Sequence, residues 1–349
     1  MTIFFRLMII LQTPLTTMQN QLKTSLDIYN GLEVSSQTET RQLCSRQDHS
    51  AYGSYDTALG KTVWGVVFDG HGNGHAIHKI RGANLDEIMK LPTPWTHLQE
   101  LLESDTTVLD SMKINSGSTM VLTKIHIYED EVQVVVSNIG DSIGVVFVND
   151  VPVFMTTSHS YNNASEILRL IQENRVDLHS VHVNEGSDFQ VISPTTLRSF
   201  IGTYVSFKTP IGEKKLAMTQ SLGHNGYTGL NPDTTVIRCK PTDKIRVCMC
   251  SDGVGDMLPV NGLDSYDTFS FMSSTTTALL DEAERRWKQT WIVHQNTDLR
   301  KEPKTKFPSN GYDDCCCTML TVQPIPTSQI ELPTGEQQES LTVDAKVVR

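Results

Sequence analysis

The 349-residue sequence has no run of 18 apolar residues, no CxxC pair and no excess of basic side chains. The first lack leaves no candidate for a membrane-spanning helix, which needs about 20 predominantly apolar residues. The apolar start, Met1 to Leu11, is shorter than that. With Arg6 as its single charge and no clear small-residue cleavage site after it, it makes a poor signal peptide. Residues 1–22 are expected to be a leader, disordered or supplying a first strand. Without CxxC spacing the seven cysteines offer no zinc-finger pattern. Their odd number fits a reducing compartment, so a cytoplasmic location is expected, with the nucleus open. The surplus of charge is acidic, 40 against 29 for a net −11, which argues against a nucleic-acid partner, since that would call for a basic patch.

What is present is ordinary for a soluble globular protein, 38% hydrophobic and 20% charged. The length allows one large domain or two. Residues 12–45 are rich in Thr, Gln and Ser, with a weak apolar period. The first strong strand is predicted over 62–68, ending on an Asp-Gly turn signal. Helical spacing follows over 75–90 and 95–102. Strands are predicted over 118–126, 131–137, 143–148 and 151–156, then a helix over 163–174. Residues 175–212 are mixed. A strand over 244–251, a helix over 279–291, a polar loop over 301–310 and a last strand over 315–322 complete the pattern. Cys248 and Cys250 share one face of their strand as small apolar residues, and the Cys315–Cys317 run is expected in strand core. Residues 324–349, rich in Pro, Gln, Glu and Thr, read as a flexible tail, which leaves 23–323 for a catalytic domain. Strands in runs, without strict βαβ alternation, predict an α+β fold with antiparallel sheets.

The residues suited to chemistry sit where apolar strands end: Asp69, Asp141, Asp252 and Asp313. Each has a plain alternative. Asp69-Gly70-His71-Gly72 and Asn138–Ser142 can be simple turns, Ser251-Asp252-Gly253 a helix N-cap, and Asp313-Asp314 a solvated loop. Together they are the oxygen ligands that hard cations such as Mg²⁺ and Mn²⁺ prefer. The glycine after Asp69 leaves its carbonyl open to close approach. His71, two residues on, can act as an acid. Two such ions lower the pKa of a shared water and neutralise phosphate charge. His75 and His78 read as helix-face residues.

The order of these motifs resembles the protein phosphatase 2C family, the metal-dependent serine/threonine phosphatases, from about Asp48 to Val322. Val67–Gly72 matches its most specific motif. Ser116-Gly117-Ser118-Thr119 matches its SGST segment, Ser137–Ser142 its NxGDS segment and Cys250–Asp256 its SDGLWD segment. Leu216–Gly223 looks like LAVTRSLGD, and Asp313-Asp314-Cys315 like the terminal acidic pair before the last strand.

The resemblance implies a four-layer αββα sandwich of two antiparallel sheets flanked by helices. It implies two Mn²⁺ or Mg²⁺ ions, with Asp69 bridging them and the Gly70 carbonyl on the second. Asp252 and Asp313 complete the first ion's shell, Asp48 joins the metal set, and Asp141 serves a third, weaker ion. His71 would protonate the leaving serine or threonine oxygen of a phosphorylated protein substrate, and the chain would act as a monomer. The departures are specific. Gln47 replaces the first motif's glutamate, and Leu43 stands where the family carries a phosphate-binding arginine, leaving Arg41 or Arg46 to substitute. Gln220 and His224 replace an arginine and an aspartate, and Gly255 a tryptophan. His159 resembles the family's Asp-His pair and reads as structural, and residues 160–212 as its variable flap. The alternative these departures keep open is a catalytically impaired adaptor that binds phosphoproteins or a kinase.

Overall fold

Along the strand Gly60–Gly72 the side chains alternate between two environments. Val63 and Val67 enter one core, while Trp64, Val66 and Phe68 enter another, as the two-residue period of a strand requires. A sheet with both faces covered follows. The structure, a computed structural model, describes residues 22–176, 179, 183–258, 272–294 and 304–325. The expected leader and tail therefore fall almost wholly outside the described residues.

Two antiparallel sheets face each other. The first has the order β1 (Lys23–Tyr29), β2 (Leu32–Arg41), β18 (Cys315–Pro324), β15 (Ile245–Cys250), β8 (Ile143–Val148) and β9 (Val151–Met155). The second runs β13 (Leu222–Gly223), β5 (Ser116–Ser118), β4 (Gly60–Gly72), β6 (Met120–Ile127), β7 (Val132–Ile139) and β14 (Asp233–Cys239), with β3 (Asp48–Thr57) on β4. Between them Val67, Val121 and Val136 meet Val247, Met249 and Leu320. The sheets approach so closely at Gly65 that a Cβ there would stand 2.8 Å from Thr318 Cγ2.

Helices cover the outer faces. On the second sheet lie α1 (His75–Gly82), α2 (Leu85–Ile88) and α3 (Pro94–Glu103), with Ile77, Ile80, Leu98 and Leu102 packed on Trp64, Phe68 and Leu122. A short α4 (Asp110–Ile114) leads into β5. On the first sheet α7 (Thr276–Lys288), with the one-turn α6 (Asp252–Gly255) at its side, sets Leu279, Ala283 and Trp287 against Phe147, Cys248, Cys317 and Met319. A large side chain such as Leu279 or Phe147 contributes about 1.5–3 kcal/mol on burial. The expected four-layer αββα sandwich is the observed architecture. The cysteines at 248, 250 and 315–317 are free and buried in it, as expected. Among the described residues no helix is long and apolar enough to cross a membrane.

The structure adds elements that the sequence pattern conceals. β1 and β2 lie in the Thr-, Gln- and Ser-rich region and β3 follows just after it; hydroxyls of β2 and β3 pair in the interior and carry no hydropathy signal, as where Thr38 Oγ1 donates to Ser50 Oγ at 2.5 Å. The helix predicted over 75–90 is two helices, the second capped by Asn84. The last helix stops at Lys288, and Trp291 opens a strand. A third sheet joins β10 (Val183–Ser193), β11 (Thr196–Thr209), β12 (Gly212–Leu216), β16 (Trp291–His294) and β17 (Lys304–Thr305). Over it α5 (Ala164–Gln172) packs Leu170 on Val205, Phe207 and Leu216.

Candidate active site

The carboxylates meet at one edge of the sandwich because strand register puts them there. Asp48 opens β3 directly opposite Asp69 near the end of β4. Asp252 follows β15, Asp313 and Asp314 precede β18, and those two strands are paired up to Cys250 and Cys317. Asp141 lies in the crossing from β7 to β8, that is, from the second sheet to the first.

Hydrogen bonds lock this edge. Ser251 Oγ donates to Asp48 Oδ2 at 2.7 Å and accepts from the Cys316 amide at 3.0 Å. Asp314, buried, is an anchor rather than an open ligand: it accepts from the Cys44 amide (2.8 Å), the Ser45 hydroxyl (2.7 Å) and the Gln47 amide (2.8 Å). The loop so held brings the Gln47 carbonyl to within 3.0 Å of the Gly70 amide. Glycine is needed there, since a Cβ would stand 2.7 Å from that oxygen. Gly253 is needed for the same reason, because a Cβ would stand 2.0 Å from the Asp314 carbonyl oxygen.

The electrostatics of the edge are those of repelling buried acids. Burial, and then the charges of Asp252 and Asp48, push Asp69 well above the usual carboxylate range. Burial moves Asp48 to about 8 against the opposing hydrogen bond from Ser251. Asp313 rises to about 9 through burial, Asp252 and Asp48, and Asp141 to about 7 through burial and Asp252. Asp141 Oδ1 and Asp252 Oδ1 are buried without a hydrogen-bond partner. Among the described residues no three acidic, histidine or cysteine side chains stand in a closed metal-holding arrangement. The donor chemistry nevertheless fits a hard divalent cation: all oxygen, mutually repulsive and partly unpartnered.

His71 lies beside this cluster and touches His224, which the sequence reading treats only as a departure. Their Nε2 atoms are 2.7 Å apart and the rings stack at 4.8 Å. Both lie over Gly117, where a Cβ would stand 2.4 Å from one and 2.6 Å from the other. His224 Nδ1 is 2.6 Å from the Ile114 carbonyl, which can only accept. Nδ1 of His224 therefore carries the hydrogen, its Nε2 accepts, and the His71 Nε2–H donates. Burial, and then His224 and Lys214, hold His71 well below the ordinary imidazole value, and burial lowers His224 to about 4.

The expected cations do not converge. Arg41 lies opposite Cys315 on the α7 face of β2, with Glu39 at 2.6 Å, Asp281 at 2.9 Å and Glu284 at 3.5 Å. Register parity turns it away from the acidic edge, so the structure does not support its phosphate-binding role. Arg46 is exposed in the 42–47 loop with φ 61°. Arg81 of α1, missed in the sequence because nothing marks it on a helix face, clamps that loop through the carbonyls of Arg46 (2.8 Å) and Asp48 (2.6 Å). Gln220, fully buried, accepts from the Asn231 amide at 2.9 Å. His159 is structural, as expected: it is fully buried and its Nδ1 accepts from the Gly140 amide at 3.1 Å. His75 faces Asp105 at 3.9 Å.

The family model for protein phosphatase 2C matches residues 31–261, and the chain belongs to that family. Among solved structures, a Caenorhabditis elegans sex-determining protein is 17% identical with a TM-score of 0.51, the match covering 84% of this chain and 66% of that one. This chain thus spans just under two thirds of that protein's length. A phosphatase from a pathogenic strain of Toxoplasma gondii is 12% identical with a TM-score of 0.50, covering 86% and 95%. A search of curated protein sequences found no match.

Proposed function

We propose that the chain is a protein serine/threonine phosphatase using two Mn²⁺ or Mg²⁺ ions. The observation that carries this is the gathering of Asp48, Asp69, Asp252 and Asp313 at one sheet edge as mutually repelling carboxylates, the first two buried and the other two half-buried. Asp69, the Gly70 carbonyl, Asp252, Asp313 and Asp48 would hold the two ions, and Asp141, with a buried unpartnered oxygen, a third. Bound there, divalent ions supply charge neutralisation for a phosphoryl group and a lowered pKa for water. The protein's own part is to hold these oxygens in place through Ser251 and Asp314, and to offer His71 as the proton donor to the leaving serine or threonine oxygen.

One observation favours a second reading, a catalytically impaired adaptor that binds phosphoproteins. The His71 Nε2–H is committed to His224, and Arg41 is held elsewhere. Turnover of a phosphothreonine peptide with and without Mn²⁺ separates the two. Metal-dependent release of phosphate is expected. Peptide binding without any release would establish the adaptor instead.

A further inference from the structure

We propose that Lys214, on the hairpin of β11 and β12, is the cation that receives the substrate's phosphoryl group in place of the arginine missing from the first motif. The proposal rests on the phosphatase reading. Lys214 lies opposite Phe207 in the hairpin and reaches across to the Asp69–Gly72 motif, where its Nζ donates to Asn115 Oδ1 at 3.3 Å. Asn115 immediately precedes β5, which pairs with the end of β4: Ser116 opposite Gly72, Gly117 opposite His71, Ser118 opposite Gly70. At Gly72 a Cβ would stand 1.8 Å from the Asn115 carbonyl oxygen, so the anchor of the ammonium and the motif are in direct backbone contact.

Two neighbouring arginines are already engaged. Arg41 is shared among three carboxylates, and Arg81 is spent on two carbonyls. Lys214 is half-buried and, among the described residues, has a neutral amide and no carboxylate as partner. An ammonium has three donors, and one is used here. A half-buried cation with free donors, anchored next to the end of the Asp69–Gly72 motif, suits a phosphate dianion. It also differs from arginine in kind: a point charge holds a phosphate without the two-pronged orientation of a guanidinium. Because the residue sits on the hairpin beside the site, phosphate grip and substrate choice would be coupled through one element.

The test uses the full chain with Mn²⁺ and three variants: Lys214→Met, Lys214→Arg and Arg46→Met. Lys214→Met is expected to raise KM for a phosphothreonine peptide, and the inhibition constant of inorganic phosphate, by roughly 10-fold, the scale of a lost charge-assisted hydrogen bond. kcat should stay within about twofold. Lys214→Arg should restore both constants, and Arg46→Met should change them less than Lys214→Met does. Unchanged constants in Lys214→Met, or a larger effect from Arg46→Met, overturn the proposal. If the wild-type chain shows no turnover, the phosphatase reading fails on its own. Calorimetric titration of inorganic phosphate then decides for Lys214: weaker binding in Lys214→Met supports it, and equal binding, or none in the wild type, overturns it.

Discussion

His71 donates its Nε2 hydrogen to Nε2 of His224 across 2.7 Å, because the Ile114 carbonyl holds the other hydrogen of the pair on His224 Nδ1. In the resting state the candidate acid therefore spends its proton on a neutral partner, where the family pattern carries an aspartate.

His224→Asp should release that restraint. A carboxylate in place of the imidazole favours the protonated form of His71. The variant is expected to raise kcat on a phosphothreonine peptide by about 10-fold, within the range of general acid catalysis. p-Nitrophenyl phosphate, whose leaving group needs little protonation, should change far less. Equal changes on both substrates would remove His71 from the acid role.

Asp69→Asn removes the charge at the centre of the cluster. Turnover should fall by roughly 10²–10³-fold, the usual scale for losing one preorganised electrostatic group. The same change relieves repulsion with Asp252, Asp48 and Asp313, so the metal-free variant should melt above the metal-free wild type. Wild type should gain about 2.7 kcal/mol from Mn²⁺ at 100 times its Kd, and the variant little. Melting curves with EDTA and with Mn²⁺ check both, and a variant that keeps the full Mn²⁺ gain would displace Asp69 from the ligand set.

Asp314→Ala tests the anchor. It strips the acceptor from the Cys44 and Gln47 amides and the Ser45 hydroxyl. A loss of roughly 3 kcal/mol is expected from donors left unpaired beside a lost buried carboxylate. Urea denaturation measures it, and Mn²⁺ affinity should weaken as the Gln47–Asp48 segment loosens. A loss below about 0.5 kcal/mol, the scale of an ordinary surface change, would show that the loop is held by other contacts.

Lys124 carries a pH signature away from the acidic edge. Burial lowers it to about 8 from 10.5, and its Nζ donates to the Leu91 carbonyl at 2.7 Å. The folded state prefers the neutral amine. Its contribution is therefore complete above the unfolded value and is lost as pH falls from about 10.5 to about 8. Buried thiols such as Cys316, raised by burial, act in the opposite sense. The stability difference between Lys124→Met and wild type isolates the lysine: it should grow in the variant's favour as pH falls through that window and level off below it. A difference independent of pH would mean that Lys124 titrates normally.

Much of the sandwich was legible because its central strands are apolar and periodic. Val63 to Phe68 and Ile245 to Cys250 announce themselves, and the Asp residues that follow them sit at one edge wherever such strands pair. β2 and β3 stayed hidden because Thr38 and Ser50 are buried through hydroxyl pairing, which looks polar in a sequence. Arg41 was misplaced because a strand residue's face depends on register, and its register opposite Cys315 turns it to α7. His224 gave no local signal of its contact with His71, nor Lys214 of its bond to Asn115, because each pair is separated by more than 90 positions.

By itself the sequence determined the kind of fold and the stock of ligands. Alternating apolar strands can bury their two faces only between layers, and aspartates at strand ends stay at the rim. The tertiary structure alone decided what each charge faces. Only packing over Gly117 sets His224 against His71, only the hairpin carries Lys214 to Asn115, and only β2 register removes Arg41 from the site. The physical reason is range: hydropathy and turn chemistry act between neighbours in the chain, whereas a hydrogen bond or ion pair is settled within a few ångströms of space, after the strands have chosen their partners.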